Sequence, residues 1–389
     1  MQDHRLLPPE IWLEIFDWAT YNPNIASDEY TPFQLVPIGR EADTNLRVRA
    51  TLCLVCRDWR TWATQSLYRD IQIKYDANGL HKSLSRGESA GKRYGDMVRR
   101  VVLPYHSTVP RPYTPLKSIE ILGLCSSLHT LHRPLDYSAG NLRFDHEAAG
   151  ISLPSLQRLE WWHHNEAERS GGINSLSAVL RGAPNLRYLF IGGVMGTGYT
   201  GRYSDLILLP NLCIFRLHIR SGLLLRQIIT RWTLPSLTHL ILDTPPVRDG
   251  LEDIWEKFGS QLEVVEFGRH VRFYMNDDLS PCLNGCPNLR ELNFYLLFTS
   301  APRTIEVHQN LSAVGLHAHM NDMLSTGDSL WGLIETHFDV LCSTKFPALR
   351  RITLYGTWRS ILGHRRFTPI QNKLWQNGRS LMLPDQTSL

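Results

Sequence analysis

The sequence predicts an α/β chain, a small helical unit followed by a stack of short parallel strands with helices or loops outside. Three observations carry that expectation. The pattern leucine-x-x-leucine-x-leucine returns along most of the chain beyond about residue 95. The residues before it lack this pattern and place apolar side chains at helical spacing instead. Of 389 residues, 43% are hydrophobic and 20% charged, ample for a core and too apolar for a disordered chain.

The helical unit begins at Leu6-Leu7-Pro8-Pro9-Glu10, leading into Ile11-Trp12-Leu13-Glu14-Ile15-Phe16. Proline suits a first helical turn, where its missing N–H would have no partner anyway. Ile11, Ile15 and Trp18 follow at i, i+4 and i+7, the spacing of an amphipathic helix. Residues 21–48 hold Pro23, Pro32 and Pro37 among polar side chains and read as a surface loop. From Ala50 to Leu67 helical character returns, with Leu52, Val55, Cys56, Trp59, Trp62 and Ala63 three and four residues apart. Both helices are too short to stand alone, so they must pack on each other and on a further surface.

The repeat is clearest in Leu156-Gln157-Arg158-Leu159-Glu160-Trp161 and in the copies opening at Leu186, Leu212, Leu237, Leu262, Leu289 and Leu349. Weaker copies surround Val98, Leu128 and Leu311. From Leu156 to Leu289 the first leucines lie 30, 26, 25, 25 and 27 residues apart, close to the period of leucine-rich repeats. Several copies follow proline and a small polar residue, as in Pro184-Asn185 and Pro235-Ser236. No unit buries its leucines alone; stacked neighbours do so for each other. Aliphatic helical stretches lie between, at Leu176-Val179-Leu180, Leu225-Ile228-Ile229 and Leu330-Leu333-Ile334-Phe338. The long interval from Leu311 to Leu349 holds either an enlarged repeat or a missed one.

In each copy the second and third apolar positions point into the core, so the residues flanking them line the other, concave face. Down the array these are Arg158, Glu160, Trp162, Tyr188, Phe190, Arg216, His218, His239, Asp243, Glu266, Asn293, Tyr295, Arg351 and Tyr355. Aromatic residues and arginines on an exposed sheet anchor protein interfaces, and this column is expected to contact a target protein. The alternative is that irregular repeats let several of these aromatics pack on flanking loops. The asparagine usual after the last leucine is missing, with Val194, Pro245 and Leu297 in its place, which points to an irregular, loosely curved array.

Leu7-Pro8-x-Glu10-Ile11-x-x-x-Ile15-Phe16, followed by Leu54-Val55-Cys56-Arg57-Asp58-Trp59-Arg60 and Leu67-Tyr68, closely resembles the F-box. The whole chain resembles F-box proteins with degenerate leucine-rich repeats, most like the fungal ones with a loop inserted in the F-box. The resemblance covers residues 5–72 by motif and 95–360 by repeat pattern. It implies a three-helix F-box unit at 5–72 with an inserted loop at about 21–48, and a linker at 73–94. An irregular leucine-rich-repeat solenoid at 95–360 and a tail at 361–389 complete the layout. It also implies a substrate receptor of a Skp–cullin–F-box ubiquitin ligase, with no catalysis and no cofactor in this chain. Leu7, Pro8, Glu10, Ile11 and Ile15 would meet a Skp-type adaptor, and through it a cullin. Leu54, Val55 and Trp59 would shape or support that surface, and the repeats would hold a protein target. The insertion is longer than the family's usual connection. The residues themselves leave open a helical unit that merely caps the repeats, or one that binds the adaptor outside a cullin ligase.

Other chemistry is poorly supported. Cys53 and Cys56 have a C-x-x-C spacing, but the nearest second pair, Cys282 and Cys286, is distant and differently spaced; a structural zinc needs four ligands, so buried core thiols are expected. Gly196-x-Gly198-x-x-Gly201 lacks the acidic partner of a dinucleotide site, since Ser221 stands in that slot. His317 and His319 near Asp322, and His163-His164 before Glu166 and Glu168, lack a third rigid ligand set; solvated or capping histidines are the expectation, with no metal and no catalytic residue. A net charge of +4 without a basic stripe argues against nucleic acid. No run of 18 apolar residues suggests a membrane span. An odd seven cysteines and no signal-like N-terminus suggest the cytoplasm or nucleus.

Overall fold

The computed structural model describes residues 7–21, 29–35, 44–73, 77–87, 93–103, 118–135, 150, 152–193, 206–219, 222–244, 250–269, 277–303, 306–318 and 328–385. The first helix, α1, is Pro9–Ala19, and the N–H groups of Ile11 and Trp12 close on the Pro8 carbonyl. Two further helices follow, α2 (Thr44–Val55) and α3 (Arg57–Arg69). The single helical stretch expected from Ala50 to Leu67 is therefore broken at Cys56, and α2 starts inside the expected loop. Cys56 is extended, and its Sγ accepts the Trp59 N–H at 3.5 Å, capping α3. Phe16 is buried against Trp59, ring centroids 5.0 Å apart, and Trp12 packs on the same indole at 4.7 Å. The inward stripe of α1 is thus Trp12 and Phe16, while the periodic stripe of Ile11, Ile15 and Trp18 faces solvent.

Twelve parallel strands pair in chain order, from Asp70–Gln72 to Ser380–Met382. One apolar ladder crosses all twelve in register: Ile71, Val101, Leu131, Leu159, Leu189, Phe215, Leu240, Val265, Leu292, Val314, Ile352 and Leu381. From Val101 to Ile352 these are the fourth-position residues of the sequence pattern, and all twelve belong to one buried core. Each fully buried side chain of this kind contributes roughly 1.5–3 kcal/mol. Helices Leu176–Gly182, Gly222–Arg231, Leu251–Phe258, Leu279–Gly285 and Asp328–Leu341 add their apolar sides to that core. The last of them fills the long interval, because Ala313–Ala318 pairs directly with Arg351–Gly356. That interval holds an enlarged unit.

The small polar residue before each copy has a structural task. Asn185 Nδ2 donates to the Pro154 carbonyl (2.8 Å), Ser236 Oγ to Pro210 (2.6 Å) and Asn310 Nδ2 to Pro287 (2.9 Å), each one unit back. Asn211 donates to Pro184 at 3.3 Å in the same way. A side-chain ladder on the turns therefore ties consecutive units together.

Two expected boundaries shift. The stretch 73–94 contains the helix Asn78–Leu84, with Ile73, Ala77 and Leu84 in the core, so it is more than a linker. The expected tail contains the helix Phe367–Gln376 and the last strand, with Phe367, Ile370, Leu374 and Leu381 in the same core. The sheet's first strand, Asp70–Gln72, follows α3 without a break, and Arg49 of α2 pairs with Asp70 at 2.8 Å. Tyr68 stacks on Tyr94 at 4.6 Å, tying α3 to the residues before the second strand.

Candidate functional site

Two surfaces hold the residues singled out by sequence. The first is on the helices. Leu7 and Pro8 are exposed just before α1, Glu10, Ile11 and Ile15 along it, and Trp18 is 78% exposed further on. Leu54, at the end of α2, is 85% exposed, and its neighbour Val55 is exposed too. Trp59 differs: half-buried between Trp12 and Phe16, it supports α1 from below. Seven of the eight named positions thus face solvent, and most are apolar, which is unusual for a folded helical unit.

The second surface is the sheet face opposite the main core. Its side chains alternate with the core ladder as strand geometry requires. The expectation of an exposed column is corrected here. Arg158, Glu160, Trp162, Tyr188, Phe190, Arg216, Asp243, Glu266, Asn293 and Tyr295 are buried, His218, His239 and Tyr355 are half-buried, and Arg351 alone is exposed.

At one end the face fills itself. Trp162, Tyr188 and Phe190 form a separate apolar cluster, to which Leu135 adds. Gly192 makes this possible, since a Cβ there would collide with the Trp162 ring and Phe190. The Arg158 guanidinium carbon sits over Tyr188, 3.6 Å from the ring centroid, and its Nε reaches Glu160 Oε1 at 2.8 Å. His132 Nδ1 stands 3.0 Å from the other oxygen of Glu160. Burial alone would raise the Glu160 pKa, but the adjoining His132 and the Arg158 charge together hold it well below the usual carboxylate range.

Further along, residues 29–35 from between α1 and α2 lie on the face. The Tyr30 hydroxyl donates to Glu266 Oε2 at 2.7 Å and accepts from Asn293 Nδ2 at 2.8 Å. The Phe33 N–H donates to the same Glu266 oxygen at 2.9 Å. Arg216 holds Asp243 with two bonds of 2.6 and 2.7 Å and gives its remaining nitrogen to the Gln34 carbonyl at 2.6 Å. The Phe33 ring meets Tyr295, His317 and Tyr355 with centroids 5.0–5.1 Å away, and Tyr30 meets His239 at 5.2 Å. Gly315 sits in line with Glu266 and Asn293 across the strands, and a Cβ there would collide with Asn293 Oδ1.

Glu266, 1% exposed, is pushed up to about 7 by burial, against the pull of Arg216 and its two hydrogen bonds. Burial and the adjoining Glu266 likewise raise the Tyr30 hydroxyl. For Arg216, burial opposes the charge, but Asp243 more than compensates and keeps the guanidinium protonated.

Sequence reasoning missed Tyr30, Phe33 and Gln34 as members of this face, and His132 as the partner of Glu160. The available signal was the pair Tyr30 and Phe33, flanking Thr31-Pro32 within the proline-bearing loop. His317, considered as a ligand, instead stacks on Tyr295 at 4.2 Å; His319, Asp322 and the glycine-rich stretch 196–201 lie outside the described residues. Glu168 accepts from Ser175 and Ser177 and from the Leu176 N–H at the start of a helix. Cys53 and Cys56 are half-buried, Cys282 and Cys286 fully so. Among the described residues no three histidine, cysteine, aspartate or glutamate side chains gather as a metal site, and no helix is long and apolar enough to cross a membrane. No protein-family model matches this chain, and no curated protein matches it either.

Proposed function

We propose that this chain is the substrate-recognition subunit of a Skp–cullin–F-box type ubiquitin ligase. Residues 5–72 form the F-box and bind the Skp-type adaptor, and the leucine-rich-repeat units hold a protein target. Ubiquitin transfer belongs to other subunits. The observation that carries the reading is the stripe Leu7, Ile11, Ile15 with Leu54 and Val55, apolar and left in solvent on the helices that bear the F-box-like motif. A three-helix unit that small gains nothing from exposing these side chains unless a partner covers them. The twelve-strand sheet in chain order is what stacked leucine-rich units would give.

A second reading has its own support: the helical unit caps the repeats. Asp70–Gln72 starts the sheet directly after α3, and the Arg49–Asp70 pair and the Tyr68–Tyr94 stack join the two parts. The two readings concern different sides of the same helices and are separable. Co-purification with a Skp-type adaptor, lost in Leu7→Ala combined with Pro8→Ala, supports the receptor. Adaptor binding that survives the double substitution removes the assignment, and an adaptor complex that never recruits a cullin supports action outside a ligase.

A further inference from the structure

The second face of the sheet carries three features that together hold one short segment of backbone and side chains. A buried carboxylate, Glu266, takes a phenolic hydroxyl and a backbone N–H. A guanidinium held by its own aspartate, Arg216, takes a backbone carbonyl. An aromatic box of Tyr295, His317 and Tyr355 takes a ring. In this structure all three are filled from within the chain by Tyr30, Phe33 and Gln34. The occupying segment lies on the surface: Glu29, Thr31 and Leu35 are exposed, and Tyr30, Pro32, Phe33 and Gln34 are half-buried.

The segment is also held in an unfavourable shape. Pro32 and Phe33 form the centre of a turn closed by the Gln34 N–H on the Thr31 carbonyl at 3.3 Å, and Phe33 has φ +60°. Among the described residues it is the only non-glycine with positive φ. Such a conformation favours glycine in that turn position and is strained for a bulky side chain. Strain of this kind persists where surrounding contacts over-determine it and is characteristic of binding sites. Here the surrounding contacts are the aromatic box and Glu266.

We propose that the Glu266–Arg216–aromatic-box surface is the target-binding site, that its ligand is a peptide segment bearing a tyrosine and, three residues later, an aromatic ring in a proline turn, and that residues 30–34 occupy it in cis until such a segment replaces them. The inference rests on the reading of this face as the target-holding one and deepens it by naming the ligand chemistry. Recognition combines a side-chain hydroxyl, two backbone groups and one ring. A peptide with phenylalanine for the tyrosine loses the hydroxyl bond to Glu266, and one without the second ring loses the box.

The test uses the full chain and a fluorescent synthetic peptide with the sequence of residues 28–37, read by anisotropy. The expected result is binding at least tenfold tighter to the Tyr30→Ala plus Phe33→Ala chain than to the wild type, lost again when Glu266→Ala is added. A second measurement needs no variant. Excess peptide added to the wild-type chain should speed amide hydrogen exchange at Phe33, whose N–H is otherwise held by Glu266. Equal binding to both chains, or no binding together with unchanged exchange at Phe33, overturns the inference and makes residues 30–34 a permanent brace. Adaptor capture does not enter either readout, so loss of this inference leaves the ligase reading standing, and loss of adaptor binding leaves this one to be judged on the peptide.

Discussion

The helices leave Leu7, Ile11, Ile15 and Leu54 in solvent, whereas the second face of the sheet buries Glu266, Arg216, Asp243 and Asn293. Each region reverses the usual distribution of polarity, and in opposite senses. Exposed apolar side chains leave no bond unmade and can stay in solvent. Buried polar ones cannot stay unpaired, because an unpaired buried charge or donor costs far more than its bond returns. The chain therefore supplies their partners itself: Asp243 and Arg216 hold each other, and Glu266, Asn293 and the remaining Arg216 nitrogen are met by a segment 182 to 263 residues away in sequence. The difference separates an apolar surface left open to solvent from a polar one already covered in cis.

The sharpest contrast is available by mutation. On α1, Phe16→Ala removes a ring buried against Trp59 and is expected to cost about 3–5 kcal/mol, while Ile15→Ala beside it stays within about 0.5 kcal/mol. Chemical denaturation of both variants checks this; equal costs would mean the two stripes are not inside and outside. On the sheet, Arg216→Ala leaves Asp243 without its buried partner and is expected to destabilise by about 3–5 kcal/mol, measured in the same way.

Acidity gives the next largest effect. Glu266 binds its proton more tightly in the folded chain, at about 7 against an ordinary 4.5. Its folded-state protonation stabilises fully below about 4.5 and is lost as pH rises through 7, by about 3 kcal/mol at 1.4 kcal/mol per tenfold change. Glu160, held ionised, works in the opposite sense: its contribution is present above its unfolded pKa and is lost as the solution is acidified. Denaturation midpoints across pH 4.5–8 should lose their Glu266 component in Glu266→Gln; an unchanged profile would show that Glu266 titrates normally. Gly315→Ala comes next, expected to cost about 1–3 kcal/mol by overpacking against Asn293, visible as a lowered Tm. Smallest is Leu54→Gln, within about 0.5 kcal/mol of wild type in stability, yet expected to weaken adaptor capture clearly.

The sheet was largely legible because its determinant is periodic. The fourth-position leucine of each copy became the ladder from Val101 to Ile352, and even the weak copies near Val98, Leu128 and Leu311 became strands. The end strands were not legible, since Asp70–Gln72 and Ser380–Met382 each bury a single side chain, Ile71 or Leu381, and one position carries no period. On α1 the period was found but its side was not: Ile11, Ile15 and Trp18 are as regularly spaced as a core stripe, and only packing by Trp12 and Phe16 shows which stripe turns inward. The column of residues on the second face was identified, but its burial was not, because Tyr30 and Phe33 reach Glu266 across more than 230 positions. Pairing over such a separation leaves no local pattern.

The comparison between the two regions comes to one measurement, hydrogen exchange along the full chain with and without a purified Skp-type adaptor. Added protection should fall on residues 9–19 and 44–59 while the amides at residues 30–34 and on the strand Val264–Phe267 keep their rates. Protection on the sheet instead of the helices, or none anywhere, would contradict it.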